Sequence, residues 1–148
     1  MKKFKFRLES ALSLRRFRKQ QAALTLSVAI AARMRSASNL ERRKAAFNEA
    51  EKNCMPRVGE TVTAAEMVCR EASLLSMDEE IKVSMSEWRE NVESEGLCYQ
   101  ELMEARKEEE GLLRLKGKAK EDHRLEMERV DEQAVQEFVN ARHQKEPY

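Results

Sequence analysis

The sequence predicts an all-α fold, two long helices forming an antiparallel coiled-coil hairpin, and three observations carry that reading. Charge is sorted by position: residues 1–48 hold thirteen Lys/Arg against two acids, Glu9 and Glu41, a net of +11, and the other hundred residues carry −10. Apolar residues recur by alternating fours and threes on both sides of the middle, the period of a two-helix seam. Between these stretches lies the one Pro-to-Gly break of the central chain, Met55-Pro56-Arg57-Val58-Gly59. A basic helix and an acidic helix joined by a turn neutralise each other when they fold back.

The first helix is expected over about 8–54. Its regular seam is Leu26, Ile30, Arg33, Ala37, Leu40, Lys44, Phe47, Glu51 and Cys54, six of them apolar. Leu8, Leu12, Phe17 and Ala23 extend it upstream on a less regular face, with Ser10 as a candidate cap unless the helix already begins at Leu8. At 1.5 Å per residue it would be roughly 70 Å long. A turn at 55–60 follows, because Pro56 cannot continue a helix and Gly59 permits reversal.

The second helix is expected over about 61–143, capped by Thr61 or Thr63, and Thr63-Ala64-Ala65-Glu66 has capping-box spacing. A second box, Ser76-Met77-Asp78-Glu79, leaves two readings open: a short tip helix or bend that breaks the chain near 75, or one uninterrupted helix. Its seam reads Ile81, Met85, Trp88, Val92, Glu95, Tyr99, Leu102, Arg106, Glu109 and Leu113, and more loosely Leu125, Met127, Val130, Ala134 and Phe138. Gly111 and Gly117 each cost helix stability, about 1 kcal/mol relative to Ala. Pro147 marks the frayed end. The chain, 1–148, reads as a single hairpin whose second helix outruns the first.

Composition excludes more than it assigns. Charged residues make up 37% of the chain, so a broad globular core is out of reach and a narrow seam is not. Cys54, Cys69 and Cys98 are odd in number and lack metal-ligand spacing, which suits a reducing compartment. The basic start resembles the head of a signal peptide, but Glu9 and the run from Arg15 to Lys19 interrupt any apolar region. The apolar stretch 22–32 is too short to span a bilayer. A cytoplasmic chain with no direct membrane insertion is expected. His123 and His143 read as solvated, the run Glu108-Glu109-Glu110 reads as a solvated face, and no phosphate loop, catalytic triad or metal set is legible. No enzyme activity, cofactor or metal is expected.

Binding is the remaining class. Lys2, Lys3, Lys5 and Arg7 interleave with Phe4 and Phe6, as in an arm that contacts phosphate and stacks on bases, though the acidic helix would cancel much of that field. Alternatively Phe4, Phe6 and Leu8 form an apolar hook for a partner, or for Phe138 and Val139. Phe47, Met85, Trp88 and Tyr99 have seam spacing and read as packing residues. Near the turn, Met55, Val58, Met67, Val68, Leu74 and Leu75 exceed what a turn needs and mark a candidate contact patch.

Two stretches carry a resemblance. The opening Phe4-x-Phe6-x-Leu8-Glu9-x-x-Leu12-x-Leu14-Arg15 and the run from Ala105-Arg106-Lys107 through Leu112-Leu113-x-Leu115-Lys116 to Asp131-Glu132-Gln133-Ala134 and Phe138 are similar to the two ends of the FliJ family, small coiled-coil proteins of the bacterial flagellar type III export apparatus. The chain departs from the family's pattern at Glu128-Arg129 and in Gly111 and Gly117. The resemblance implies a stalk in the pore of the export ATPase hexamer, linked to the cytoplasmic domain of the export gate protein, assisting export chaperones, monomeric when free and peripheral to the inner membrane at the flagellar base. It implies ring-facing roles for Phe4, Phe6, Arg15, Arg16 and Phe138, and gate-facing roles for Phe47, Met67 and Leu74, with the tip over 40–75. The virulence-secretion counterpart, a basic-arm nucleic-acid binder and a dimerising coiled-coil scaffold are the rival readings.

Overall fold

The computed structural model describes residues 3–144; Lys2 and Pro147 lie outside the described residues. It contains two helices, α1 (Glu9–Cys54) and α2 (Ala64–His143), and no strand among the described residues. Together they form a helical hairpin. Two compact units can be distinguished: one combines the residues up to Gln20 with those from Glu104 onward, the other is Gln21–Met103.

Local chemistry sets each boundary. The Leu12 N–H donates to the Leu8 carbonyl (2.9 Å) and the Glu9 N–H to Phe6 (3.2 Å), so Leu8 flanks the helix that starts at Glu9, and Ser10 lies inside its first turn and does not cap it. After Cys54 a turn closes when the Glu60 N–H donates to the Arg57 carbonyl (2.9 Å), with Gly59 at φ 88°, where a side chain would be strained. Arg70 reaches back from α2 to fasten this turn. It donates to the Cys54 carbonyl (3.2 Å) and to Glu60 (2.9 Å), while the Glu60 carboxylate also accepts from the Arg57 N–H (2.9 Å).

The start of α2 is a closed capping box: Glu66 N–H to Thr63 Oγ1 (3.2 Å) and Thr63 N–H to the Glu66 carboxylate (3.3 Å). Helix therefore begins at Ala64, a few residues after the expected 61. The second box is a mid-helix sequence, since α2 passes through Ser76 without a break.

In the Gln21–Met103 unit the helices meet along alternating large and small residues. From α1 come Leu26, Arg33, Leu40 and Phe47, with Ala29 and Ser36 between them and Ala50 after; from α2 come Leu74, Ile81, Trp88, Glu95 and Leu102, with Ser84, Asn91 and Cys98 between. Ser84 is only 4% exposed. Ile30, Ala37, Lys44 and Met85 are half-buried where the expected seam put them, and three other members of its second line are corrected. Val92 and Tyr99 lie exposed, Tyr99 at 53%, as does Glu51, and the next position of each line is filled by Asn91, Cys98 and Ala50. Where two backbones press close, small side chains occupy the contact and the bulky ones flank it.

In the other unit the α1 side of the seam is Leu12, Arg15 and Lys19, spaced by three and four, and Leu12 is fully buried. Of the residues expected to extend the helix's apolar face, Leu8 and Phe17 are exposed here, as is Ala23 in the Gln21–Met103 unit. The facing positions on α2 are Ala105, Glu109, Leu112, Lys116, Ala119 and His123, displacing Arg106 and Leu113 from the expected seam.

Candidate interaction surfaces

Arg15, Lys19, Arg33, Glu95, Glu109 and Lys116 sit on the seam because each meets its opposite across it, whereas Lys44 pairs with Glu41 on its own helix. Glu109, 8% exposed, lies between Lys19 (2.5 Å) and Arg16 (3.5 Å). The Lys19 ammonium holds its carboxyl below the usual carboxylate range by hydrogen bonding, against the opposing effect of burial, and Arg16 adds to the lowering. Arg15 bonds Glu108 (2.5 Å) and Lys116 bonds Glu9 (2.8 Å). In the Gln21–Met103 unit Arg33 pairs with Glu95, and Arg43 with Glu80 (2.7 Å). The ring-facing expectations Arg15 and Arg16 are thus engaged by α2.

The N-terminal arm is extended and alternates. Lys3, Lys5 and Arg7 face solvent, while Phe4 and Phe6 are half-buried. The Phe4 ring lies 5.6 Å from the His123 ring at 44°, and Lys116 Nζ lies 6.0 Å from the centre of Phe6. The hook therefore docks on α2 at 116–123, not on Phe138 and Val139, because an arm leaving Leu8 reaches only the next heptad. A groove of about 460 Å³ opens beside Phe4 against Gly117, Arg124, Met127 and Asp131. Arg124 ties Glu121 (2.6 Å) and Glu128 along one face; its hydrogen bond holds Glu121 low, and Glu121 in turn raises Arg124.

Beyond the arm α2 continues uncovered. Lys116, Ala119, His123, Met127, Val130, Ala134, Phe138 and Ala141 are spaced by threes and paired fours, an eleven-residue period that keeps one line on a nearly straight helix. From Val130 onward every member is exposed, Phe138 included. Sequence reading found Met127, Val130, Ala134 and Phe138, but not Ala119, Ala141 or the change of period, and its Leu125 lies exposed off this line.

Around the turn, Met55, Val58, Val68 and Leu75 are exposed. Phe47, Met67 and Leu74, the gate-facing expectations, are half-buried on the seam beneath them. Val68 and Leu75 follow Met67 and Leu74 by one residue each, which is how helical geometry turns a seam pair into a surface pair. Among the described residues no cluster of His, Cys, Asp and Glu could hold a metal, and no helix is long and apolar enough to cross a membrane.

A charge-sorted hairpin of two long helices, with exposed apolar residues at its turn and along its last helical turns, belongs to the class of coiled-coil hairpin proteins. The family model described as Flagellar FliJ protein matches residues 4–147, nearly the whole chain, and the chain belongs to the FliJ family. Membership makes it a component of the flagellar export apparatus, in a family of non-enzymatic proteins, and favours the flagellar over the virulence-secretion reading. No curated protein and no solved structure matches the chain.

Proposed function

We propose that this protein is the stalk that couples the hexameric export ATPase to the cytoplasmic domain of the export gate, assists export chaperones, and works at the inner-membrane base of the flagellum. The supporting observation is that two separate surfaces remain uncovered after the seam is satisfied: the Val130-to-Ala141 line of α2, and Met55, Val58, Val68 and Leu75 around the turn. Under this reading the ATPase ring grips the end bearing Phe138, with Phe4, Phe6, Arg15 and Arg16 holding that end in shape. The gate meets the turn, where Phe47, Met67 and Leu74 support the exposed apolar residues. Phe4 and Phe6 are spent on α2, which weighs against base stacking by the arm and hence against nucleic acid as partner.

The test is a pull-down of the chain with the export ATPase, the gate's cytoplasmic domain and duplex DNA from the same organism. Capture of the ATPase that is lost with Phe138→Glu, and of the gate that is lost with Val58→Glu plus Val68→Glu, is the expected result. Capture of DNA alone overturns the reading.

A further inference from the structure

Residues 21–32 of α1 carry no charge, in a chain where no other uncharged run among the described residues exceeds six. One side of this stretch, Ala22, Leu26 and Ala29, packs on α2. The opposite side repeats the same heptad rhythm: Gln21, Leu24, Val28, Ala31 and Arg35 follow one another by three, four, three and four. Leu24 is 62% and Val28 66% exposed. Nine of residues 21–32 are apolar, the exceptions being Gln21, Thr25 and Ser27; a helix this apolar is ordinarily covered on most of its surface, and here one side is open.

Charge decides what covers it. Arg33 and Arg43 are consumed by Glu95 and Glu80 on the α2 side, whereas Arg35 closes the open line, exposed and without an ion pair among the described residues. The covered side shows what α1 accepts: an acidic helix that supplies apolar heptads and carboxylates to the arginines. A second α1 would bring like charge, since residues 1–48 carry +11.

We propose that the outer face of α1 over residues 21–35 is a docking site for an acidic amphipathic helix of another protein, which adds a third strand to the hairpin there. The site is distinct from the ATPase and gate surfaces proposed above and stands without them.

The experiment is fluorescence anisotropy with the full chain and a labelled synthetic peptide of four heptads, Leu and Ala at the seam positions and Glu at the flanks. A peptide with Lys at the flanks serves as comparison. The acidic peptide binds; Leu24→Glu with Val28→Glu weakens it about tenfold or more, and Arg35→Glu does so in the same direction. Val135→Glu, at an exposed site on α2, leaves binding unchanged. All four sites are exposed, so circular dichroism of the variants stays that of the parent. Emission of the half-buried Trp88 stays constant on binding, because the peptide packs on the far side of α1 and does not displace α2. Absence of binding, equal binding of the Lys peptide, insensitivity to the variants or a shift in Trp88 emission overturns the proposal. So does a doubled mass of the free chain in sedimentation that Leu24→Glu with Val28→Glu abolishes, which makes the occupant a second copy.

Discussion

Glu109 shows how little room separates packing from electrostatics in a two-helix seam. It holds a position that a larger core would give to Leu, and Lys19 and Arg16 keep it ionised. Its depressed pKa means that its stabilisation is complete above the usual carboxylate range and is lost as pH falls through the lowered value. Glu109→Gln is therefore expected to lower the melting temperature at pH 7, and parent and variant should converge in acid; thermal melts by circular dichroism across pH read this directly. Gly111 is the opposite case. A Cβ built there meets nothing within 4 Å, so Gly111→Ala should stabilise the chain by about 0.5–1 kcal/mol in urea titration. That the sequence places a glycine at a cost was legible; for Glu109 the seam spacing pointed inward while the run of three glutamates read as a solvated face, and only its facing cations, Lys19 and Arg16, decide between the two.

At the level of elements, the turn and the caps were legible because each depends on a few consecutive residues. Pro56, Gly59 and the Thr63-to-Glu66 box do in the structure what their chemistry requires. The second line of the seam on α2 was not, since Ser84 and Asn91 are polar, Cys98 and Ala105 are small, and a bulkier residue follows each one position later. The distinction has a test. Ala105→Leu should destabilise by about 1–3 kcal/mol through overpacking, while Leu113→Ala, on the flank, should cost far less. The arm yields another expectation: Phe4→Ala with Phe6→Ala should accelerate amide hydrogen exchange at residues 116–123 and leave the turn unaffected.

For the molecule as a whole, the all-helical hairpin could be read from charge segregation and period alone, and the family match agrees with it. The interaction surfaces were only partly readable, because exposure depends on which side of a helix its partner takes. Stability that leans on cross-helix pairs of modest individual worth, about 0.2–1 kcal/mol each when exposed, is sensitive to screening. Raising NaCl from low ionic strength to about 0.5 M should lower the melting temperature, the Debye length having shrunk to a few ångströms. Pairing also sets a timetable for synthesis. Arg15 waits for Glu108, 93 residues further along the chain. At bacterial translation speeds that is about 5–20 s, during which the nascent basic helix has left the ribosome with its neutralising strand unmade. The turn and the pairs nearest it can close first, so the hairpin zips outward from Arg70. Until it does, the growing chain is a polycation beside ribosomal RNA.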